Sequence, residues 1–277
     1  MTWLDALLLG ALEGLTEFLP VSSTGHLILL GAWLGHDDDV QKTLDVVIQL
    51  GAVVAVVAYY RERLSTLARG CLRRDPASLR LLAALGVAFT PAALVGLALH
   101  GFIKERLFGP GPVGLALIVG GVVMTGVDTW RRRKGEEAGN EAGNDDDAAL
   151  ASVTLGRAAV IGLFQCFSLW PGASRSMTTI MGGQLAGLRT KAAADFSFLL
   201  AIPTLGAATV YDLAKGGAAL LASPSGPTSL VVGLAASFVV AWLVIAAFLR
   251  YLTRFGLAPF GVYRIALGAL VLLLGRG

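Results

Sequence analysis

Long apolar runs alternate with short polar and basic clusters along almost the whole chain. Uninterrupted apolar stretches cover Val46–Tyr60, Leu81–Leu99, Val113–Val127, Leu199–Val210, Leu230–Leu249 and Ile265–Leu274. Several approach the ~20 residues that a helix needs to cross ~30 Å of hydrocarbon. Two further apolar segments are broken. Leu4–Leu19 carries Asp5, Glu13, Thr16 and Glu17 before Pro20-Val21-Ser22-Ser23-Thr24-Gly25 interrupts it, and His26–Gly35 resumes. Ala158–Leu169 stops at Pro171-Gly172-Ala173-Ser174-Arg175-Ser176, and Thr178–Leu188 resumes. Proline followed by a Ser/Thr/Gly cluster marks a turn between short helices. With Pro20 aligned on Pro171, Ser23 falls on Ser174, and Asp45 and Asp195 each open the following span.

The pattern predicts an all-α polytopic membrane protein built as an inverted-topology repeat. Each half is a broken re-entrant helix hairpin followed by three transmembrane helices. Residues 1–134 form the first repeat, with its hairpin at about 3–36. Residues 153–277 form the second, with its hairpin at about 157–190. Three spans per half place the halves in opposite orientation, so that the interrupted helices meet near the midplane. Exposed backbone in such loops is tolerable only inside protein or beside water. Between the halves, residues 135–152 include six acids and no base, the composition of a disordered cytoplasmic linker.

Composition agrees with this reading: 55% of the 277 residues are hydrophobic and 15% charged, against roughly 25% charged in soluble domains. A net charge of +3 gives nucleic acid no purchase. Cys71 and Cys166 form neither a disulfide framework nor a zinc cluster. The first residues carry Asp5 in place of the basic start of a signal peptide, so they are read as part of the fold.

Basic residues fix the orientation. Arg61, Arg63, Arg69, Arg73, Arg74 and Arg80 lie between the first two spans, and Arg131 to Lys134 follow the third. Arg157, Arg189, Lys191, Arg250 and Arg254 continue the bias, against Lys42, Lys104, Arg106, Lys215 and Arg276 on the other side. By the positive-inside rule the larger set is cytoplasmic and both termini are external. Arg175 and Arg264 stand outside this tally.

The polar residues near the breaks carry the chemistry. Glu13 and Glu17, at i and i+4, share one face of an apolar helix without a basic neighbour. Two such carboxylates repel unless a shared proton or a cation relieves them. A divalent ion, Mg²⁺ or Ca²⁺, bridging them to phosphate oxygens is the natural solution. His26 follows the Ser22-Ser23-Thr24 hydroxyls, where an imidazole can move a proton. Arg175, with Ser174, Ser176 and Thr179 around it, makes an anion cradle at a helix start. Ser22 and Thr24 flank Ser23 as further phosphate-binding hydroxyls, and Gln49 is a polar support at membrane depth.

These segments resemble a known family. EGLTEFLPVSSTGH (Glu13–His26) and PGASRSMTT (Pro171–Thr179) look like the two signature regions of the undecaprenyl-diphosphatase, or bacitracin-resistance, family. VVIQLG (Val46–Gly51) and DFSFLLAIP (Asp195–Pro203) also fit its pattern. Met177 stands where glycine is common in the family, and Asp195 where glutamate is usual. The resemblance implies activity at Glu13, Glu17, Ser23, His26 and Arg175. It also implies a polyprenyl diphosphate substrate among membrane lipids, conversion to the monophosphate and phosphate, and a bacterial inner-membrane location with the site opening outward. The sequence leaves a homodimer open.

Two chemical routes fit the same residues. In one, Ser23 attacks phosphorus after His26 takes its proton. In the other, His26 or a Glu-bound metal activates water and Ser23 only binds. A transporter or flippase of polyprenyl phosphates, with or without hydrolysis, is the rival from another class, because broken helices in inverted repeats also build transporters. A phosphatidic-acid-type phosphatase is excluded, since it needs a histidine after its SR motif and none follows Arg175. A lipid kinase is excluded for want of a P-loop.

The distribution of basic residues makes one test direct. In a Cys71→Ser/Cys166→Ser background, a cysteine at Asn140 should resist an impermeant thiol reagent in intact cells. Ready labelling would reverse the orientation.

Overall fold

A computed structural model describes residues 2–35, 39–135, 150, 152–223 and 226–274. These contain eleven helices: α1 (Trp3–Thr16), α2 (Ser23–Trp33), α3 (Asp39–Tyr59), α4 (Arg61–Leu72), α5 (Pro76–Arg106), α6 (Pro110–Arg133), α7 (Leu155–Phe167), α8 (Arg175–Leu185), α9 (Thr190–Ala222), α10 (Gly226–Phe255) and α11 (Ala258–Leu274). Five of them, α3, α5, α6, α9 and α10, are long and apolar enough to cross a membrane. With 17 residues, α11 lies at the lower end of the range for a span. The acidic segment read as a linker falls almost wholly outside the described residues.

Each broken segment is a pair of short helices, as the prolines predict. The first hairpin is α1–α2 and the second α7–α8. Asp5 and Thr2 form a reciprocal capping box that starts α1. The chain then turns through Glu17–Val21, and Ser22 caps α2 with its hydroxyl on the Gly25 amide. Thr154 starts α7 in the same way, and Ser174 caps α8 through the Met177 amide.

Ser22 (φ 75°) and Ser174 (φ 70°) are two of only three non-glycine residues with positive φ among the described residues. L-residues rarely hold that conformation without a compensating contact, so the two caps are equivalent corners. The alignment of Ser23 on Ser174 is therefore one residue out: Ser22 matches Ser174, and Ser23 matches Arg175. The second loop is longer by one residue between its proline and its cap, and Gly172 (φ +97°) takes up the extra turn.

The hairpins are seated reciprocally. α1 lies along α10 from the other half, and α7 lies along α5. Both contacts use glycine. A Cβ at Gly10 would stand 2.3 Å from the Gly233 carbonyl oxygen, and one at Gly162 would stand 2.7 Å from that of Ala88. Gln165 also donates to the Ala88 carbonyl (3.3 Å), just before Pro91 interrupts the α5 ladder. α3 packs on α9, and α6 runs along α11. Phe18, Phe196, Phe198 and Phe248 fill the main core, with Phe18 edge-on to Phe198 at 5.0 Å.

α4 is unexpected. The arginine-dense segment reads as a loop, yet it forms a twelve-residue amphipathic helix with no buried residue. Mixed polar and apolar positions hide such a helix from a search for apolar runs. After it, Asp75 caps α5, and the Ser78 amide it accepts from holds its carboxyl below the usual range.

The close crossing of α1 and α10 generates a stability test. Gly10→Ala should lower stability by about 1–3 kcal/mol through overpacking against backbone. Gly86→Ala, where a Cβ meets nothing within 4 Å, should leave the unfolding midpoint unchanged. Equal midpoints for both variants would contradict the packing described.

Candidate functional site

The turn ending α1 and the start of α8 meet in the interior. Glu17 is held at the last turn of the first hairpin helix, where its amide bonds the Glu13 carbonyl. Its two carboxylate oxygens are divided between the two hairpins. Oε2 accepts from the Ser23 hydroxyl at 2.5 Å, and Oε1 accepts from Nη2 of Arg175 at 3.0 Å. Both members of the ion pair are buried, with side chains 7% and 5% exposed. A buried pair survives only with further hydrogen bonds, and Arg175 has them: Nη1 donates to the Ser197 carbonyl (2.9 Å) and hydroxyl (3.3 Å).

The Nε of Arg175 is buried and has no partner among the described residues. Ser23 and Arg175 each open a helix of eleven residues. Neither their own amides nor those of Thr24 and Ser176 donate to any described residue. The arrangement therefore presents a hydroxyl with a carboxylate behind it, a spare guanidinium N–H, and the first amides of two helices. That is the donor set an anion requires.

Other residues expected at the site have supporting contacts. Ser176 donates to the Leu19 carbonyl (3.0 Å) and so joins the loops, while Ser174 lies 3.0 Å from it. The Thr179 hydroxyl bonds the Arg175 carbonyl (2.7 Å) and lies 2.6 Å from the Ser197 hydroxyl. Ser22 is committed to its cap. Thr24 is half-buried on the first turn of α2. Gln49 is half-buried on α3 with no hydrogen bond to tie it to this cluster.

His26 differs from the expectation that it serves Ser23. Its Nδ1 lies 2.7 Å from the Ser22 carbonyl and its Nε2 lies 2.7 Å from the Tyr263 hydroxyl. A carbonyl only accepts, so Nδ1 carries the proton and Nε2 takes the hydrogen of Tyr263. The side chain in contact with the Ser23 hydroxyl is Glu17. Its bonds to the Ser22 carbonyl and to Tyr263 of α11 turn the imidazole toward α11 instead.

Glu13 is fully buried, and neither carboxylate oxygen has a hydrogen-bond partner among the described residues. Glu17, Asp45 and Arg175 lie within electrostatic reach. An orphaned carboxylate beside another acid fits a divalent cation. No group of three or more His, Cys, Asp or Glu side chains encloses one among the described residues, so its remaining ligands would be water and ligand oxygens.

Ser197, Tyr263 and Arg264 were missed as site residues. Each left a faint signal: a hydroxyl in an apolar span, a tyrosine beside an arginine, and an arginine no topology rule explains. Asp195, also buried, accepts from the Tyr60 hydroxyl at 2.5 Å and ties α9 to the junction of α3 and α4.

Comparison with known sequences supplies the chemistry's context. The family model described as "Bacitracin resistance protein BacA" matches residues 6–270. The chain is 69% identical over 272 residues to a Sorangium cellulosum protein named undecaprenyl-diphosphatase, covering 98% of this chain and 86% of that one. It is 44% identical to proteins of that name from Thermoanaerobacter sp. (98% of this chain, 96% of the relative) and 44% identical to undecaprenyl-diphosphatase 1 of Paraburkholderia xenovorans (99% and 97%).

Proposed function

Because the chain belongs to the bacitracin resistance protein BacA family of undecaprenyl-diphosphatases, we propose that Glu17, Ser23 and Arg175 perform its hydrolysis. The enzyme converts undecaprenyl diphosphate to undecaprenyl phosphate and inorganic phosphate in the membrane, recycling the lipid carrier and conferring bacitracin resistance. The observation that carries the residue assignment is the Glu17 carboxylate, shared between the Ser23 hydroxyl and the Arg175 guanidinium.

The terminal phosphate enters between the two helix starts and takes the free amides and the Nε of Arg175. As it does, Glu17 exchanges its bond to Arg175 for freedom to act as a base. The Ser23 oxygen attacks phosphorus and its proton passes to Glu17. The bond from phosphorus to the bridging oxygen breaks, and undecaprenyl phosphate leaves with that electron pair. The departing undecaprenyl phosphate takes that proton from Glu17; water then attacks the phosphoserine, the restored carboxylate takes a proton from it and passes it to the Ser23 oxygen, and phosphate departs. Charge on the transferring phosphoryl oxygens is met by Arg175 and by backbone amides, which is where such reactions draw their acceleration. His26, on the same helix as Ser23 and bonded to the Ser22 carbonyl and Tyr263, braces the first turn of α2.

Glu13 and Glu17 would hold Mg²⁺ or Ca²⁺. When bound, the ion supplies positive charge that relieves the paired carboxylates and polarises phosphate oxygens. The basic residues support a cytoplasmic-membrane orientation with external termini and a site reached from outside. The reciprocal seating of the hairpins supports the inverted repeat.

Two measurements test the reading. Rapid quenching with substrate labelled in its terminal phosphate should trap label on Ser23, and Glu17→Gln should slow that step on the order of 10²–10⁴-fold, the usual contribution of a general base. A Ser23→Ala enzyme with near-normal turnover would leave the activated-water route standing.

Chelator should stop turnover in the wild-type enzyme, and Glu13→Gln should raise the Mg²⁺ or Ca²⁺ concentration needed to restore it. Unimpaired turnover in chelator would remove the metal from the scheme.

A further inference from the structure

Arg264, on α11, is the largest fully buried side chain in the molecule's described residues. No carboxylate among them pairs with it. Instead Nη1 donates to the Pro20 carbonyl (3.1 Å), and Nη2 donates to the carbonyls of Gly172 (2.8 Å) and Ala116 (3.3 Å). Pro20 lies in the first broken loop, two residues before the cap of α2. Gly172 lies in the second, two before the cap of α8. One guanidinium thus holds both loops and α6 together.

We infer that Arg264 is a positioning residue for the hydrolysis, a staple between Pro20 and Gly172 that sets Ser23 against Arg175. The inference rests on the reading of these loops as the phosphate site. Three observations lead to it. The sequence makes room for this group: a Cβ at Gly120 would lie 2.3 Å from Nη2 of Arg264, so α6 keeps a glycine there. The cost of burying an unpaired cation is not needed for packing alone, since an apolar side chain of similar length could fill the space. And the loops have few other joints. One is the Glu17–Arg175 pair, which opens when phosphate takes the guanidinium. Another is the single bond from Ser176 to Leu19. The Arg264 contacts involve neither reacting group, so they persist through turnover and keep the two helix starts in register. A planar fork spans separate acceptors in fixed directions, which an ammonium does not.

The test uses the purified full-length enzyme. Arg264→Lys should remain folded and keep its KM for undecaprenyl diphosphate within about threefold, because Arg264 bonds only backbone carbonyls and none of the donors proposed for the phosphate. Its kcat should fall on the order of a hundredfold, the effect of misplacing catalytic groups by about 1 Å. Gly120→Ala, which retains the charge but displaces the guanidinium, should also lower kcat. The double variant should be no worse than Arg264→Lys alone, since the two changes disturb one contact. A folded Arg264→Lys enzyme with near-normal kcat, or losses that multiply in the double variant, would overturn the staple. If Arg264→Lys does not fold, Gly120→Ala decides: unchanged kcat there overturns it equally. Ser23→Ala and Arg175→Lys assayed alongside separate the two ideas. Inactive loop variants with a fully active Arg264→Lys remove only the staple, whereas fully active loop variants remove the site itself.

Discussion

A carboxylate bonded at once to a hydroxyl and a guanidinium, inside a helix bundle, is the interaction on which the rest of the structure depends. Glu17 reaches Ser23 on its own hairpin and Arg175 on the other. A buried ion pair holds only when its geometry is good and further hydrogen bonds support it, so the two hairpins end facing each other. The helix breaks, the positive-φ caps at Ser22 and Ser174, and the glycine-lined crossings all serve that meeting. Each lets backbone approach backbone at a point where a regular span would keep the two ends apart.

The same arrangement separates two demands that phosphoryl transfer makes. Anion binding needs donors that are not already used, and these are the first-turn amides and the Nε of Arg175. In the proposed reaction, proton removal needs an acceptor next to the Ser23 hydroxyl, and Glu17 stands there. The Ser197–Thr179 hydroxyl pair, buried behind Arg175, holds the guanidinium from the side away from Glu17. Loss of one partner on substrate entry therefore leaves the arginine anchored by the other.

Much of this was legible in the sequence because membrane burial makes polar residues conspicuous. Pro20 and Pro171 mark both breaks, and Glu13, Glu17 and Arg175 stand out as charges at depth. What escaped depends on direction, not residue type. A spacing of three suggested that His26 faces Ser23, but the positive φ at Ser22 turns the start of α2, and the imidazole points to Tyr263. Equating the two prolines misplaced the repeat register by one residue, because a glycine at φ +97° absorbs an insertion that no pattern of apolar positions records. α4 escaped for a different reason: its arginines break up any apolar run, although its apolar positions recur with a helical period. Ser197 and Arg264 gave only isolated polar signals, and their partners lie 22 and 244 residues away in the chain.

The reciprocal seating of α1 on α10 has a bearing on how the chain is made. The ribosome delivers Glu13 and Glu17 first, yet Arg175 follows 158 residues after Glu17, and the glycine groove of α10 opens only at Gly226. At about 5–20 residues per second, the first hairpin waits on the order of ten seconds or more, with α3 and α6 to pack on, before the partner of Glu17 and the groove for its glycines are made. A segment so placed cannot complete its ion pair or its closest helix crossing as it is made. Assembly of the joint between the two hairpins is thus a late, whole-chain event.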